Sequence, residues 1–276
     1  MTRARKINLT VEILIIIFSV VFFVPFYFIF INSFKTLGQI LTDPSSLPTD
    51  WNLANYMKGV KAIKFPTLLF NSIFVTSSSI ILISFLGSLA SWKMARFEHK
   101  RLFKIMYICY TLSMIIPFQT VMVPVVSISS FLNMLDLKRG LVFLNIGFGL
   151  PLTVFLFHGF IGTVPYALEE SARIDGANDH QVFFRIVLPL LKPITITIAI
   201  LNTLWIWNDF LLPSLVLFSR DNYTIPIGIN MFFGLYDQQW DKALSILVLS
   251  IVPIVGIFLF LQKYFIAGIT SGAVKG

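Results

Sequence analysis

Long apolar stretches separated by short charged connections run along the whole chain. The stretches that contain no Asp, Glu, Lys or Arg cover residues 13–34, 65–92, 105–135, 140–168 and 243–262. One more apolar run, from Pro193 to Ser219, is interrupted only by Asp209. A helix needs roughly 20 apolar residues to cross a hydrocarbon core about 30 Å thick. The pattern therefore predicts six transmembrane helices, near residues 12–32, 68–92, 105–127, 140–161, 195–217 and 242–262.

The composition agrees with this pattern. Of the 276 residues, 57% are hydrophobic and only 12% are charged, and the mean hydropathy is +0.84. A soluble domain is about 25% charged, so we predict an all-α integral membrane protein that crosses the membrane several times and has lipid as a partner. The net charge of +8 would suit a nucleic-acid-binding protein, but the hydropathy argues against that class and we expect no nucleic acid partner.

The first apolar run is predicted to stay in the mature protein. Residues 13–34 are too many for the apolar region of a signal peptide, and no small-residue cleavage site accompanies them. We therefore interpret this run as an uncleaved first span.

Lys and Arg in the connections predict the orientation, because cytoplasmic loops carry an excess of them. With the N-terminus inside, 13 of the 21 basic residues fall on the cytoplasmic side, five of them in the short 93–104 loop. We expect both termini to be cytoplasmic, the 33–67 loop to be external and the 162–193 connection to be cytoplasmic. The chain then divides into residues 1–66 (tail, first helix and external loop), a five-helix core over 67–262 and a tail over 263–276.

The external loop has one segment with helical character. The sequence from Asp50 to Tyr56 suggests a short amphipathic helix close to the membrane. An aromatic anchor at the interface is favoured by the frequency of such belts, and a surface that docks a partner is the alternative.

Patterns of catalysis and cofactor binding are missing from the sequence. It contains no GxxxxGK[ST] loop for nucleotide phosphates. The single cysteine, Cys109, excludes an internal disulfide and is expected to be a small buried packing residue. His99, His158 and His180 stand at no spacing that suits a metal. We therefore expect that this chain is not an enzyme and binds neither a cofactor nor a metal.

The 162–193 connection begins with signals for a polar helix. Thr163 can cap a helix over residues 165–175, whose early positions include Glu169 and Glu170 beside the positive helix terminus. Glu169 and Arg173 are four residues apart, which predicts a pair on the helix surface. Gly176 is a natural helix stop, and we expect a positive φ there.

A second helix is predicted immediately after the glycine. Asn178 followed by Gln181 has the spacing of a capping box, and the helix then runs through Phe183 towards Pro189 and Pro193. The connection is thus a helix–Gly–helix elbow. It could lie on the lipid headgroups, or it could be a lever that inserts into another protein.

The spacing within this elbow resembles a known motif. The EAA loop of ABC-importer permeases reads E-A-A, three residues, G, nine residues, I-x-L-P. Here Glu170-Ser171-Ala172, Gly176 and Ile186-Val187-Leu188-Pro189 stand at the same intervals, with Ser171 in place of the first alanine. The segments 32–36, 207–210 and 268–276 are also similar to the binding-protein-dependent sugar permease family. The chain resembles the second permease subunit of maltose-type and multiple-sugar importers.

The resemblance implies a type I ABC importer fold and a role for the elbow as a coupling helix that a separate ATPase moves. The residues it assigns to this coupling are Glu169, Glu170, Ser171, Ala172, Asp175, Gly176, Leu188 and Pro189. It further assigns a C-terminal tail that contacts the ATPase through Gly268, Thr270, Gly272 and Lys275.

The resemblance also implies partners. These are a second, non-identical permease subunit, a cytoplasmic ATPase dimer that holds ATP and Mg, and an extracellular or periplasmic sugar-binding protein. The setting it implies is the cell membrane of a bacterium or an archaeon.

Asp209 is the only acid in the interior of a predicted span, which by itself suggests a functional residue. It lies 16 residues after Pro193, or about 24 Å along a helix, towards the external face. Asn202, Trp205, Asn208 and Asp209 are candidates for a sugar path. For Asn208 and Asp209 a capping or other structural hydrogen bond is an equal alternative.

Two other functions are alternatives to the importer. A secondary transporter driven by an ion gradient would predict paired intramembrane acids or an inverted repeat, and neither stands in the sequence. A function as a membrane scaffold protein would not explain the elbow. Within the importer class, a di- or oligosaccharide is the expected solute, and a polyol, glycerol phosphate or an amino sugar stays open.

Overall fold

The structure, a computed structural model, describes the backbone of residues 3–234 and 238–273 and the side chains of residues 11–234 and 238–259. In this part of the chain the helices are α1 (Arg3–Asn32), α2 (Leu37–Thr42), α3 (Ala54–Ala62), α4 (Phe65–Arg96), α5 (Arg101–Ser113), α6 (Phe118–Phe131), α7 (Lys138–Ile161), α8 (Ala167–Ile174), α9 (Asp179–Val182), a π-helical turn (Phe183–Val187), α10 (Leu188–Leu190), α11 (Lys192–Asn208), α12 (Leu211–Val216), a 3-10 turn (Arg220–Asn222), α13 (Ile225–Asn230) and α14 (Trp240–Ala273).

The apolar helices confirm a polytopic, all-α fold. In the described part, α1, α4, α7 and α14 are each long and apolar enough to cross a membrane, and two bent pairs raise the number to six if each pair is one span. One pair is α5 with α6, bent by 110°, where a single straight helix was predicted over 105–127. Pro117 precedes α6; it has no N–H to continue the helix and it holds the preceding residue extended.

The second bent pair replaces the predicted span at 195–217. Residues Asp179–Leu190 meet α11 at 70°, and α11 ends at Asn208. Asp209 has an extended backbone and starts a new short helix. The last helix continues to Ala273, beyond the predicted end at residue 262.

One compact unit comprises residues 67–227 with 254–276. In it α4 and α7 approach closely, and a Cβ added to Gly87 would lie 2.4 Å from the Cγ2 of Thr153. Small buried hydroxyl residues on α4 such as Ser88 and Ser91 allow such an approach, as in other membrane helices. One apolar core cluster of this unit consists of Val75, Ile83, Leu141, Val142, Ile206, Leu212, Val216, Leu217 and Ile227.

The other unit comprises residues 1–66 with 228–253. Its loop folds around Lys35, which is 1% exposed and donates from Nζ to the Asp43 carbonyl oxygen at 2.9 Å. The Asn55 amide closes the loop by donating to the carbonyl oxygens of Ser33 and Lys35. A short helix is present where one was expected, but it begins at Ala54 rather than at residue 50.

One packing prediction was wrong. Cys109 is exposed on α5 rather than buried. Its apolar neighbours in sequence are exposed as well, including Ile108 at 43%, because this stretch of α5 turns an apolar face outwards. A purely apolar sequence does not distinguish an inner helix face from one that meets lipid.

Candidate functional site

The elbow, residues 162–193, has the two predicted arms joined at Gly176. The first arm is α8, which starts at Ala167; Thr163 does not cap it, because the Thr163 hydroxyl donates to the Phe160 carbonyl oxygen instead. Gly176 has a φ of +86°, as predicted. The second arm starts with the predicted capping box between Asn178 and Gln181.

The underside of the first arm is held by one carboxylate. Glu169 was predicted to lie on the surface, but it is fully buried at 0% exposure. Its Oε1 accepts from Arg96 Nε at 2.7 Å, and its Oε2 accepts from Trp92 Nε1 at 3.0 Å. The predicted partner Arg173 is present too, with Nη2 at 3.6 Å from Oε2. The prediction missed the burial because Trp92 and Arg96 come from the end of α4, far away in sequence.

A second set of ion pairs lies on the exposed side of the same junction. Lys93 Nζ donates to Asp179 Oδ2 at 2.5 Å, and Arg173 Nη2 donates to Asp179 Oδ1 at 3.3 Å. The hydrogen bond from Lys93 is the main reason why the pKa of Asp179 is lowered, with a further contribution from Arg173. Asp179 thus joins both arms to α4 through charges that solvent can reach.

The second arm is held by apolar contacts. Phe183 and Val187 in the π-helical turn are at most 2% exposed, and the ring of Phe183 lies 5.3 Å from that of Trp92. The cluster beneath the elbow comprises Trp92, Phe157, Ile161, Val182, Phe183, Val187, Leu191 and Ile198. It ties the second arm to the ends of α4 and α7 and to the start of α11.

The outer side of the elbow is a continuous exposed face. Leu168 is 46% exposed and Ile174 is 85% exposed. Ser171 lies between them on the same face of α8, since residues three apart are neighbours on a helix. Of the predicted coupling residues, the structure leaves exposed Glu170, Ser171, Asp175, Gly176 and Pro189, half-buries Ala172 and Leu188, and buries Glu169.

The four predicted sugar-path residues are not brought together as one site. Asn202 is buried, and its amide donates to the carbonyl oxygen of Ile198 at 2.9 Å and to the hydroxyl of Thr153 at 3.4 Å. Asp209 accepts from the backbone N–H groups of residues 211 and 212 and so caps α12. The Asn208 amide donates to the carbonyl oxygen of residue 204 and is otherwise exposed.

Trp205 alone among these four lines a large cavity. The cavity has a volume of about 750 Å³ and lies between the bend of α5 and α6, the middle of α7 and the Trp205 ring. Trp205 is 41% exposed. The other lining residues are mostly apolar: Ser113, Met114, Ile116, Val121, Pro124, Val125, Ile128, Phe143, Leu144, Gly147, Phe148, Pro151 and Leu152. The sequence did not reveal this cavity because it depends on the 110° bend.

The predicted contact residues of the C-terminal tail are only partly described. Gly268, Thr270 and Gly272 lie within α14, and their side-chain surroundings are outside the described residues. Lys275 also lies outside the described residues. Among the residues that are described, no group of three His, Cys, Asp or Glu side chains could hold a metal ion.

A second polar cluster lies at the other end of α4. This far-end loop cluster consists of Asn71, Asp136, Lys138, Ser219 and Asn222. Asp136 Oδ1 accepts from the backbone N–H of Ser219 and of residue 218, both at 2.9 Å, and Oδ2 accepts from the Ser219 hydroxyl. The Asn222 amide donates to the Asp136 carbonyl oxygen at 2.6 Å.

The same cluster reaches α4 through Asn71. The Asn71 amide donates to the carbonyl oxygens of Asp221 and Tyr223, and its own oxygen accepts from Lys138 Nζ at 2.9 Å. Partial burial alone would raise the pKa of Asp136, but the bonds from the Ser219 hydroxyl and the two backbone N–H groups outweigh it and lower the pKa to about 2. The cluster therefore holds two loops, residues 132–137 and 217–224, against the start of α4 around an ionised carboxylate.

Comparison with known proteins gives a consistent picture. The sequence pattern of the family described as "Binding-protein-dependent transport system inner membrane component" matches residues 79–271. The chain is 38% identical to the probable starch degradation products transport system permease protein AmyC of Thermoanaerobacterium thermosulfurigenes, over 94% of each chain. It is 37% identical to the melibiose/raffinose/stachyose import permease protein MelC of Bacillus subtilis, over 100% of this chain and 98% of the relative.

A solved structure has the same fold. A chain in the crystal structure of a bacterial ABC transporter involved in the import of the acidic polysaccharide alginate superposes with a TM-score of 0.81. The superposition covers 96% of this chain and 99% of that one, at 20% sequence identity. The two chains therefore share the same fold.

Proposed function

The chain belongs to the family of binding-protein-dependent transport system inner membrane components, and from this premise we propose that it is a permease subunit of an ATP-driven sugar importer. It forms half of a translocation pathway for di- or oligosaccharides. A transport subunit of this family is not itself an enzyme, and hydrolysis of ATP takes place on a separate ATPase dimer that holds ATP and Mg.

The exposed face of α8 is the observation that carries this proposal. Leu168 and Ile174 would be costly to leave in water, at about 25 cal/mol per Å² of apolar surface. The helix that presents them is fixed from below by Glu169. A rigid helix that exposes two large apolar side chains among polar ones suits insertion into a groove on another protein, and the proposed groove lies on the ATPase.

The sugar assignment is supported by relatives. AmyC and MelC are named for starch degradation products and for melibiose, raffinose and stachyose. At identities of 38% and 37% over nearly the whole chain, we propose a solute of the same class for this protein. A transporter driven by an ion gradient has little support, because Asp209, the acid within the predicted span 195–217, is used as a helix cap.

The proposal includes partners and an orientation. A second, non-identical permease forms the other half of the pathway, and an external sugar-binding protein delivers the solute, as the family description suggests. The elbow and both termini lie in the cytoplasm, in agreement with the five basic residues of the 93–104 loop. The far-end loop cluster then lies outside.

Trp205 is the proposed sugar-facing residue within the chain. Its ring lines the large cavity, and an exposed indole offers a flat apolar face on which a sugar ring can stack. Asn208, exposed three residues further on, would supply hydrogen bonds. Asn202 and Asp209 act behind the path, since their polar groups are engaged within the chain.

The test is whether binding of the ATPase to the permease requires the apolar side chain of Ile174. The complete importer is expressed with tagged permease, and the ATPase that copurifies is measured together with uptake of raffinose and maltotriose. Ile174→Asp should reduce both by at least about tenfold, since a buried charge in a protein groove costs more than 1.4 kcal/mol. Leu41→Asp is the matched control, because Leu41 is 69% exposed in the external loop. Equal recovery of ATPase with the two variants would contradict the proposed role of α8.

A further inference from the structure

The first arm of the elbow is attached to the rest of the protein in an unusual way. The only buried residue of α8 is Glu169, an acid. The apolar contact of α8 with the cluster beneath the elbow comes from one small side chain, the half-buried Ala172. What mainly holds the helix down is the set of donors that the Glu169 carboxylate accepts from.

These donors come from the end of one particular helix. Trp92 and Arg96 stand one turn apart in the last turns of α4, and both bind Glu169. Arg96 is only 12% exposed, and its Nη2 also donates to the Val164 carbonyl oxygen at 3.0 Å, just before α8 begins. Arg96 thus binds α8 at Glu169 and the turn before it at Val164, and a planar guanidinium that makes two bonds allows little rotation.

The second arm is attached by a different chemistry. Its buried residues Phe183 and Val187 contact other apolar side chains, and such contacts have no preferred direction. Asp179 at the start of this arm also pairs with Lys93 of α4, but that pair is exposed and can open at little cost. The second arm can therefore change its angle at a lower cost than α8. A change of angle at α8, by contrast, breaks directional bonds in a site from which water is excluded.

We propose that Glu169 is the positioning residue through which movement of α8 is passed to α4, with Arg96 and Trp92 as its fixed partners. The inference rests on the proposed function, since it assumes that an ATPase moves α8. It adds that the polar joint at Glu169 makes α8 and the end of α4 move as one body, whereas the apolar joint lets the second arm and α11 change their angle.

A purely stabilising role for Glu169 is less compatible with the site. A buried ion pair often contributes no more to folding than apolar residues of the same shape would. What it does provide is a fixed geometry, because each of its bonds has a required direction.

The experiment uses the complete importer, with both permeases, the ATPase and the binding protein, in lipid nanodiscs. ATP hydrolysis is measured with and without binding protein that has been loaded from a mixture of raffinose and maltotriose. All rates are divided by the amount of intact complex. Glu169→Gln keeps the shape of the side chain and removes its charge. Arg96→Lys keeps the charge and removes the planar guanidinium that binds two acceptors. Trp92→Phe removes a single N–H donor.

In Glu169→Gln and Arg96→Lys the ATPase should stay bound, because the outer face of α8 is unchanged. Stimulation of hydrolysis by the loaded binding protein should fall by at least about fivefold in each, from the loss of charge-assisted bonds. Trp92→Phe should lose about two- to threefold, as expected for one neutral donor. Glu98→Gln is the matched control: Glu98 is an exposed acid at the same end of α4, and stimulation should not change.

Full stimulation per complex in these variants, even at reduced abundance, would show that Glu169 only stabilises the fold and would overturn the inference. Loss of the ATPase from the wild-type complex would instead refute the proposed function. The milder Trp92→Phe variant keeps the test decisive if the charge variants fail to assemble.

Discussion

The two ends of α4 are held by different kinds of polar contact. Asn71 near its start belongs to the far-end loop cluster, and Arg96 at its end binds the elbow. The 25 residues between them correspond to about 37 Å along a helix. At the far end an acid is bound by backbone N–H groups and uncharged side chains, whereas at the elbow acids are bound by Arg and Lys.

The far end of α4 is therefore suited to stay fixed, and the end at the elbow is suited to move. The bonds of Asp136 go to the backbone of its neighbours, so they last as long as the loops keep their shape. The exposed pair of Lys93 and Asp179 can open and form again at little cost, because surface ion pairs contribute about 1 kcal/mol or less. A helix fixed at its far end and driven from the elbow would transmit a movement of the elbow along its whole length.

The two ends of α4 can act on each other only if the helix between them is rigidly packed. A substitution at Gly87 is the most severe test of this packing. A Cβ at this position would lie 2.4 Å from Cγ2 of Thr153, which is fully buried on α7. Gly87→Val should cost about 3 kcal/mol or more, the upper range for overpacked cores. We expect little folded protein, measured as the monodisperse fraction after extraction in detergent.

Gly159→Val is the matched control for this clash. Gly159 lies on the partner helix α7, and nothing lies within 4 Å of a Cβ built there. Its monodisperse fraction should equal that of the wild type. Equal yields of the two variants would mean that α4 and α7 are not closely packed, and the two ends could then move independently.

The hinge of the elbow gives the next largest effect. Gly176 has a φ of +86°, and open space surrounds its Cα, so a substitution there is strained only through the backbone. A left-handed conformation costs a side chain roughly 1–2 kcal/mol, and more when the side chain is β-branched. Gly176→Val should therefore reduce uptake by about tenfold at normal abundance, measured with labelled raffinose.

Asn tolerates this conformation better than other residues. Gly176→Asn should consequently keep most of the uptake. The ratio of uptake by the two variants then separates the cost of the left-handed backbone from the effect of removing the glycine. Uptake by Gly176→Val equal to that of the asparagine variant would refute a strained hinge.

The elbow was largely predictable from sequence because its signals are local. The capping box of Asn178 and Gln181 and the stop at Gly176 each occupy a few neighbouring residues, and both are present where they were predicted. The burial of Glu169 was not predictable in this way. Its partner Arg96 is 73 positions away, and no spacing rule connects two residues over that distance.

The far end was missed for the same reason. Asp136 binds Ser219 across 83 positions, and in the sequence it is only a polar residue after a long apolar run. The bend between α5 and α6 was missed because apolar content does not show direction, although Pro117 marks the place. Local chemistry thus predicts helices and caps, while contacts between distant segments require the structure.

At the far end, Asp136→Ala should destabilise the protein moderately. It removes the acceptor of three bonds from residues 218 and 219. Because the site is partly open to solvent, we expect about 1–2 kcal/mol, the lower range for charge-assisted bonds. Thermal unfolding in detergent at pH 6 measures the change, and Asp136→Asn, which keeps one acceptor oxygen, should lie between the alanine variant and the wild type.

The pH dependence of the stability difference between wild type and Asp136→Ala shows whether the charge of the carboxylate is its cause. The pKa of Asp136 is lowered from 3.8 to about 2 by its hydrogen bonds, so its contribution is fully present above pH 3.8 and is lost as the pH falls towards 2. The difference in melting temperature between wild type and Asp136→Ala should shrink between pH 5 and pH 3. A difference that stays constant over this range would mean that the carboxylate charge does not hold the loops.

The smallest effect on stability is expected at the exposed ion pairs of the elbow. Asp179→Asn removes the charge that binds Lys93 and Arg173, and Asp179 is 56% exposed at its side chain. Stability should fall by about 0.2–1 kcal/mol, and the deficit should disappear in 1 M salt, where charges are screened beyond about 3 Å. The Asp136→Ala deficit should persist in the same salt, because its partners are dipoles of the backbone. If both deficits responded equally to salt, the two ends of α4 would be held by the same kind of contact, and the contrast between a movable and a fixed end would be lost.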